Sequence, residues 1–119
     1  MEIINGCTVI VAASAADPAR LGPDEMSGAY VVLAGEFPPG EPGPPLHVHP
    51  TTDELFYVGD GEATFVLGDR EVQVGGGGLV FVPRGMPHTV RNSGAGPIRG
   101  MLVISPGDVE HEFVPVDQG

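Results

Sequence analysis

Short apolar runs separated by glycine, proline and polar residues recur along the whole chain, and no long stretch has helical spacing. We predict strands at 8–13, 29–37, 54–58, 62–67, 70–74, 79–82, 88–91 and 98–104. In 29–37, for example, Val31 and Leu33 alternate with Val32 and Ala34, as on the two faces of a strand. About ten short strands with turns at regular intervals predict an all-β antiparallel sandwich or barrel.

The residues between these runs are those of tight turns. Gly59-Asp60-Gly61 joins 54–58 to 62–67, and its glycines supply the positive φ values of a hairpin. Gly68-Asp69 predicts a second hairpin into 70–74. The run 79–82 is apolar at every position, which predicts a strand buried on both faces.

The segment 38–45 contains five prolines and cannot be a central strand, because proline lacks the amide hydrogen that a sheet needs. We interpret it as an extended loop at the rim of the domain. It could act as a lid over a site or as a stiff connector, and the connector is the simpler interpretation.

Length and charge limit the classes of function. The 119 residues predict one domain, 1–119, with a single core and no internal repeat. A formal net charge of −11, with no lysine and five arginines, leaves no basic surface for nucleic acid or an anionic membrane. Cys7 is the only cysteine, and the N-terminus has neither a basic leader nor a long apolar run, so we expect a cytoplasmic protein.

Three of the four histidines stand in a pattern that suits one metal ion. His47 and His49 are two residues apart, so on a strand both side chains leave the same face. Glu54 follows a short polar turn and could bring a carboxylate to that face, and His88 would complete the set. Three imidazoles and a carboxylate suit a divalent transition metal such as Fe, Mn, Ni, Co, Cu or Zn. An isolated pair of this kind is more often chance, so the prediction depends on all four residues.

The spacing of these residues resembles two motifs of the cupin superfamily. The first motif is matched by Gly43, His47, His49, Glu54 and Gly61, and the second by Gly77, Pro83, Gly85, His88 and Asn92. One departure is Gly78, where many members carry an acidic residue. The resemblance implies a small antiparallel jelly-roll barrel, a double-stranded β-helix, with the metal inside one end and its ligands pointing inward.

The same geometry implies candidates for a substrate pocket. Phe56 and Val90 lie two residues beyond Glu54 and His88 and would share their inward faces. Further wall candidates, which strand parity alone does not orient, are Phe65, Phe81, Met86 and Met101. Asn92 is predicted to cap the turn 92–97. His111 lies between two glutamates in an acidic tail and is predicted to be solvated and outside the site.

The resemblance is greatest to single-domain cupins of the type that includes quercetin-dioxygenase-like proteins and polyketide cyclases. It implies a metal-dependent enzyme for a small enol, phenolic or diketone-like substrate, with dioxygenase chemistry first and a metal-assisted cyclase or isomerase second. Glu54 is the candidate catalytic base. A non-enzymatic module that binds a small molecule or metal is the third alternative. A homodimer is compatible with the resemblance, although the chain carries no specific interface signature.

Overall fold

The computed structural model describes residues 2–11 and 19–117, and within these ranges the backbone forms twelve strands and no helix. The strands are β1 Glu2–Ile4, β2 Cys7–Val9, β3 Ala19–Leu21, β4 Val31–Phe37, β5 His47–Val48, β6 Asp53–Asp60, β7 Glu62–Leu67, β8 Arg70–Gly75, β9 Gly78–Val82, β10 His88–Arg91, β11 Ile98–Ser105 and β12 Val114–Pro115. Across this described part of the chain, no helix has the length and apolar character needed to cross a bilayer.

Two five-stranded antiparallel sheets form the body of the protein. The histidine sheet has the order β12-β5-β10-β7-β8, and the carboxylate sheet has the order β3-β4-β11-β6-β9. The hairpin β1-β2 forms a separate two-stranded sheet. The chain passes repeatedly from one large sheet to the other, so strands distant in sequence become neighbours. This arrangement is the predicted all-β jelly roll.

The core lies between the two sheets. Its buried centre comprises Val58, Ala63, Phe65 and Ile98, and partly buried apolar side chains pack around it. The rings of Phe56 and Phe65 meet edge to face with their centroids 5.2 Å apart, which joins the two sheets. The inward side of β6 therefore continues from Glu54 through Phe56 to Val58, from the candidate site into the core.

The prediction that 79–82 is buried on both faces is wrong. Val82 is 2% exposed, whereas Leu79 and Phe81 are 66% and 60% exposed. Phe81 pairs with Leu55 and Leu79 pairs with Tyr57, so these side chains share the outer face of the carboxylate sheet. Four consecutive apolar residues carry no period, and the sequence therefore could not separate the two faces of β9.

Of the two predicted hairpins, the one at Gly68-Asp69 is confirmed and the one at Gly59-Asp60-Gly61 is wrong, and the first strand is shorter than expected. Gly68 has a φ of 63° in the hairpin that joins β7 to β8. Gly61 has a φ of 92°, but β6 and β7 lie in different sheets, so 59–61 passes the chain from one sheet to the other and closes no hairpin. A glycine with positive φ suits either kind of tight turn, and the sequence therefore could not separate the two. β2 covers Cys7–Val9, while positions 12 and 13 of the predicted strand lie outside the described residues. Cys7 is exposed.

The loop 38–45 is fastened to β10 and the residue that follows it. The amide of Asn92 donates to the carbonyl of Glu41 at 2.9 Å, and the hydroxyl of Thr89 donates to the carbonyl of Pro44 at 2.6 Å. Gly43 approaches so closely that a Cβ there would overlap the carbonyl oxygen of Val90. These contacts favour the connector interpretation of the loop.

Two glycines of this loop allow a matched test. Gly40 and Gly43 have nearly equal φ values of +76° and +74°, but a Cβ at Gly40 would meet nothing within 4 Å. We expect Gly40→Ala to cost about 1 kcal/mol of the free energy of unfolding, from the left-handed backbone alone. Gly43→Ala should cost roughly 2 kcal/mol more because of the overlap with Val90. Urea unfolding of both variants measures the difference, and equal losses would contradict the role assigned to the close approach.

Candidate metal centre

The two sheets bring the four predicted ligands together at one end of the molecule. His47 begins β5 and pairs directly with His88, the first residue of β10. His49 follows β5 immediately, and Glu54 is the second residue of β6 in the facing sheet. All four side chains are buried, with exposed fractions of 5% for His47 and His49, 4% for Glu54 and 2% for His88.

The ligand atoms of these residues converge on one point. One ligand atom from each of His47, His49, Glu54 and His88 lies within 4.8 Å of the others. The Nε2 atoms of His47 and His49 are 3.1 Å apart, and Oε1 of Glu54 lies 3.0 Å from Nε2 of His49 and 2.7 Å from Nε2 of His88. Neighbouring ligands about 2.1 Å from one ion, at right angles, are separated by about 3.0 Å.

Backbone carbonyls determine which nitrogen of each ring faces this point. Nδ1 of His47 donates to the carbonyl of Pro45 at 2.8 Å, Nδ1 of His49 to that of Glu112 at 2.5 Å, and Nδ1 of His88 to that of Met86 at 2.9 Å. Since a carbonyl oxygen only accepts, each Nδ1 carries the hydrogen. In the neutral rings Nε2 is then an unprotonated lone pair.

The residues therefore fit a bound metal. Three Nε2 lone pairs and a carboxylate oxygen point at one another in a buried space, and such an arrangement repels itself unless a proton or a cation lies between them. The carbonyl partners on the opposite ring nitrogens are those that orient metal-ligating histidines in proteins. The donor set of imidazole nitrogens and one carboxylate suits a divalent transition metal.

The pKa values follow from the same contacts. Burial alone would raise the pKa of Glu54, but the hydrogen bond from His88 and the nearby imidazoles outweigh it and lower that pKa. Burial would lower the pKa of His88, yet the hydrogen bonds to Glu54 and to the carbonyl of Met86 raise it. Burial lowers the pKa of His47. The raised pKa means that a proton competes with a cation for Nε2 of His88.

Asp53 lies beside Glu54 in sequence but takes no part in the cluster. Its carboxylate accepts hydrogen bonds from the backbone and the guanidinium of Arg84, at 2.8 to 3.1 Å, and this contact lowers the pKa of Asp53. Asp53 thereby anchors the loop 83–87 that precedes His88. The amide of Gly85 in that loop donates to the carbonyl of His49 at 2.9 Å.

The C-terminal segment contributes residues that the sequence did not indicate. His111, predicted to be solvated and outside the site, stacks on His49 with ring centroids 3.8 Å apart, so that prediction is wrong. Phe113 stacks on His47 at 4.2 Å. Burial lowers the pKa of His111. The only sequence signal available was the presence of a fourth histidine.

An apolar cavity of about 410 Å³ lies inside the barrel. Of the predicted pocket residues, Phe56, Phe65, Val90 and Met101 line it. Met101 lines it together with its strand partners Ala34 and Tyr57, and is 39% exposed. Phe56 and Val90 stand two residues from Glu54 and His88 on the same strands, so the cavity and the metal centre share the inward faces of β6 and β10, although none of the four clustered side chains lines the cavity.

The other two predicted pocket residues do not line this cavity. Phe81 points outward from β9, as its pairing with Leu55 requires. Met86 is 37% exposed in the loop before β10, and it serves the site through its carbonyl, which accepts from His88. Neither position could be oriented by strand parity, since one lies in an unbroken apolar run and the other in a loop.

Asn92 holds the rim of the barrel, and its predicted role as a turn cap is confirmed. It is 1% exposed, its amide nitrogen donates to the carbonyls of Phe37, Pro38 and Gly96, and its oxygen accepts from the amide of Gly94. One side chain thus joins the turn after β10 to the start of the loop 38–45.

Comparison with known proteins agrees with this fold and this cluster. The Cupin domain family matches residues 33–105, which include all four candidate ligands. The chain belongs to the cupin family. As a cupin, it has the expected double-stranded β-helix, and the metal cluster occupies the end of the barrel.

The individual proteins that the chain resembles share about a quarter to a third of its sequence. The chain is 33% identical over 87 residues to the tetracenomycin polyketide synthase protein TcmJ of Streptomyces glaucescens, covering 67% of this chain and 58% of that protein. A Klebsiella pneumoniae protein of unknown function with a double-stranded β-helix domain superposes with a TM-score of 0.68 at 24% identity, covering 89% and 91% of the two chains. A mutant of Bacillus subtilis oxalate decarboxylase gives a TM-score of 0.67 at 24% identity, covering 84% of this chain and 28% of that one. The two structures support the fold alone.

The raised pKa of His88 predicts how metal affinity depends on pH. Below that pKa, which lies above the ordinary value of 6.5, the ring is protonated on both nitrogens and must release a proton to bind an ion. Glu54 stays ionised throughout, because its pKa is lowered. We expect affinity for Co²⁺ to be constant at high pH and to fall at least roughly tenfold per pH unit below the pKa of His88. A Co²⁺ absorbance titration measures this dependence, and affinity unchanged down to about pH 5 would contradict histidine ligation.

Proposed function

We propose that this cupin is a metal-dependent enzyme that acts on a small enol, phenolic or diketone-like substrate, with dioxygenase chemistry as the first candidate. The observation that carries the proposal is the convergence of three Nε2 lone pairs and one carboxylate oxygen in a buried space, with Phe56 and Val90 of the apolar cavity two residues further along β6 and β10. Four protein ligands leave two positions of an octahedral ion free, enough for a substrate with two adjacent oxygens. The family membership supports the same conclusion.

The cavity supports the substrate class. Its volume of about 410 Å³ falls in the range of small-molecule sites, and its walls are largely apolar. Phe56, Phe65 and Val90 offer contact to a flat hydrocarbon body, and the clustered ligand atoms lie further along the same strands as Phe56 and Val90. A substrate with an apolar ring system and oxygens at one end would match both parts.

The protein residues have separate tasks in this proposal. A bound metal would polarise the oxygens of the substrate and lower the cost of removing a proton. Glu54 would accept that proton, because it is the only carboxylate among the four clustered side chains and its lowered pKa keeps it ionised. His47, His49 and His88 would hold the ion, and the surrounding burial would exclude water from it.

A metal-assisted cyclase or isomerase is the second candidate. The relative TcmJ is named as a tetracenomycin polyketide synthase protein, which associates one protein of similar sequence with polyketide synthesis. A polyketide presents enol and ketone oxygens beside an apolar skeleton, so the same cavity and base would serve a reaction that consumes no oxygen. A module that binds a small molecule or a metal without turnover remains the third alternative.

Replacement of Glu54 tests the enzymatic proposals. Glu54→Gln keeps a ligating oxygen but cannot accept a proton, so we expect metal to be retained and turnover to fall about 100-fold or more. Bound metal per chain is measured by elemental analysis, and O₂ consumption by an oxygen electrode with flavonols, catechols and β-diketones.

Glu62→Gln is the control, since Glu62 is an exposed carboxylate at the start of β7. Full turnover by Glu54→Gln would remove Glu54 from the role of base. Product formed by the wild type without O₂ uptake would move the assignment to cyclase or isomerase. If the wild type binds metal but turns over none of the compounds, the alternative that stands is a module that binds without turnover.

A homodimer is the proposed assembly, and the outer face of the carboxylate sheet is its proposed interface. Strand register places apolar residues there in two adjacent rows, Ala19-Ala34-Met101-Tyr57-Leu79 and Leu21-Val32-Val103-Leu55-Phe81. Five strands and two rows make a face of roughly 350 Å². With a polar rim this approaches the roughly 500 Å² per partner that a specific interface needs. The rows carry no charged side chain, so no like charges of the two chains would face one another within the contact.

A charge in this face should separate the subunits. We expect Phe81→Lys to be monomeric by sedimentation velocity, because two lysines would be buried without partners. Val11→Lys is the control, since Val11 is 83% exposed and lies outside the two rows. It should remain dimeric. A monomeric wild type at tens of micromolar, or a dimeric Phe81→Lys variant, would contradict the interface.

A further inference from the structure

Two glycines stand opposite each other in the middle of the carboxylate sheet. Gly35 of β4 pairs with Gly100 of β11. Two residues away on each strand, Phe37 pairs with Ile98, so these four positions share one face of the sheet. Ile98 is 7% exposed and belongs to the buried core, which shows that this face points inward. The inner face of the sheet therefore lacks a side chain at two adjacent positions.

The apolar cavity lies at this gap. Both glycines line it, and Ala63, Phe65 and Val90 line it from the histidine sheet. Side chains from two packed sheets normally interdigitate across a space about 10 Å thick. Because the carboxylate sheet contributes no side chain at the glycine pair, roughly half of that thickness stays open there. We call this part of the cavity, between the glycine pair and those three residues, the slot.

The two glycines differ in what the backbone requires of them. A Cβ at Gly100 would overlap the carbonyl oxygen of Tyr57, next to the point where the register between β6 and β11 shifts. The fold alone therefore explains Gly100. Gly35 lies in the middle of a strand and does not have a positive φ. Glycine in such a position lowers stability relative to alanine, and it often marks a place where a ligand approaches the backbone closely.

We propose that Gly35 is a specificity-determining residue of the cavity, whose bare backbone lets a flat ring system lie in the slot against β4 and β11. Phe65 and Val90 would contact the other face of the ring. The inference rests on the proposed function, because it takes the cavity as the substrate site. It narrows the substrate class to flat skeletons and excludes globular ones with the same number of carbons.

Alanine at position 35 separates a role in binding from a role in folding. If the glycine serves a ligand, Gly35→Ala should melt at a temperature no lower than that of the wild type, since alanine suits a strand interior better. A glycine that the fold requires would give a lower melting temperature. The added methyl group would project into the slot in either case.

The binding test uses naphthol, a flat two-ring alcohol, and adamantanol, a globular alcohol with the same number of carbons. The fluorescence of naphthol is titrated with the full chain, and adamantanol is added as a competitor. We expect the wild type to bind naphthol and adamantanol to displace it poorly. Gly35→Ala should weaken naphthol binding roughly tenfold and Gly35→Val roughly 100-fold, as added carbons in an apolar pocket do. Co²⁺ affinity should not change, because position 35 lies outside the four clustered side chains.

Gly75→Val is the matched control. Gly75 ends β8, does not have a positive φ, and is not among the residues that line the cavity. A Cβ there would meet nothing within 4 Å. This variant makes the same change in another strand, and it should bind naphthol as the wild type does.

The outcomes distinguish this inference from the proposed function. A wild type that binds no Co²⁺ overturns the metal-dependent function and the inference with it. A wild type that binds Co²⁺ but no naphthol, or binds adamantanol equally well, overturns the inference alone. Unchanged naphthol binding in Gly35→Val, an equal loss in Gly75→Val, or a lower melting temperature of Gly35→Ala would do the same. If Gly35→Val fails to fold by circular dichroism, the melting temperature and naphthol affinity of Gly35→Ala decide.

Discussion

The antiparallel pairing of β10 with β5 is the contact on which the metal centre depends. It sets His88 directly opposite His47, although the two strands are distant in the sequence, and both rings enter the space between the sheets. The facing sheet contributes Glu54 from β6, whose own partners β9 and β11 fix its inward face. A slip of one residue in β6 would exchange Glu54 for Asp53 and turn Phe56 and Val58 out of the core. A single register of β6 therefore places Glu54 in the site and Phe56 and Val58 in the core.

Burial fixes the positions of the four clustered side chains, but removing them from water costs free energy. A carboxylate and three imidazoles with 2 to 5% exposure lose most of their hydration, and they are tolerated because every ring has a carbonyl on Nδ1 and Glu54 has imidazole partners. The Nε2 lone pairs of the three histidines face one another, and they still need a proton or a cation between them. A cation that satisfies them would stabilise the folded chain by linkage, since the unfolded chain offers no such arrangement.

The sequence predicts the parts of this site that obey a short period and misses those that depend on distant pairing. His47 and His49 follow from a two-residue repeat in one predicted strand, and Glu54 and Phe56 follow from the same repeat in the next strand along the chain. His88 and Asn92 follow from the second motif. His111 and Phe113 could not be placed, because β12 has two residues and joins β5 across most of the chain. Phe81 was assigned to the cavity for a different reason: an unbroken apolar run gives no indication of which side faces out.

The C-terminal segment lies on one side of the metal centre, and the cavity lies beyond another side. Phe113 and His111 cover the rings of His47 and His49, so the side of the cluster toward the segment 110–116 is closed by side chains. On the other side, the inward faces of β6 and β10 lead from Glu54 and His88 to Phe56 and Val90, which line the cavity. On the proposed function, a substrate reaches the ion from this apolar side. Its selection would then depend on the shape of the cavity and on Pro44 at its wall, which the contacts of Asn92 and Thr89 hold in place.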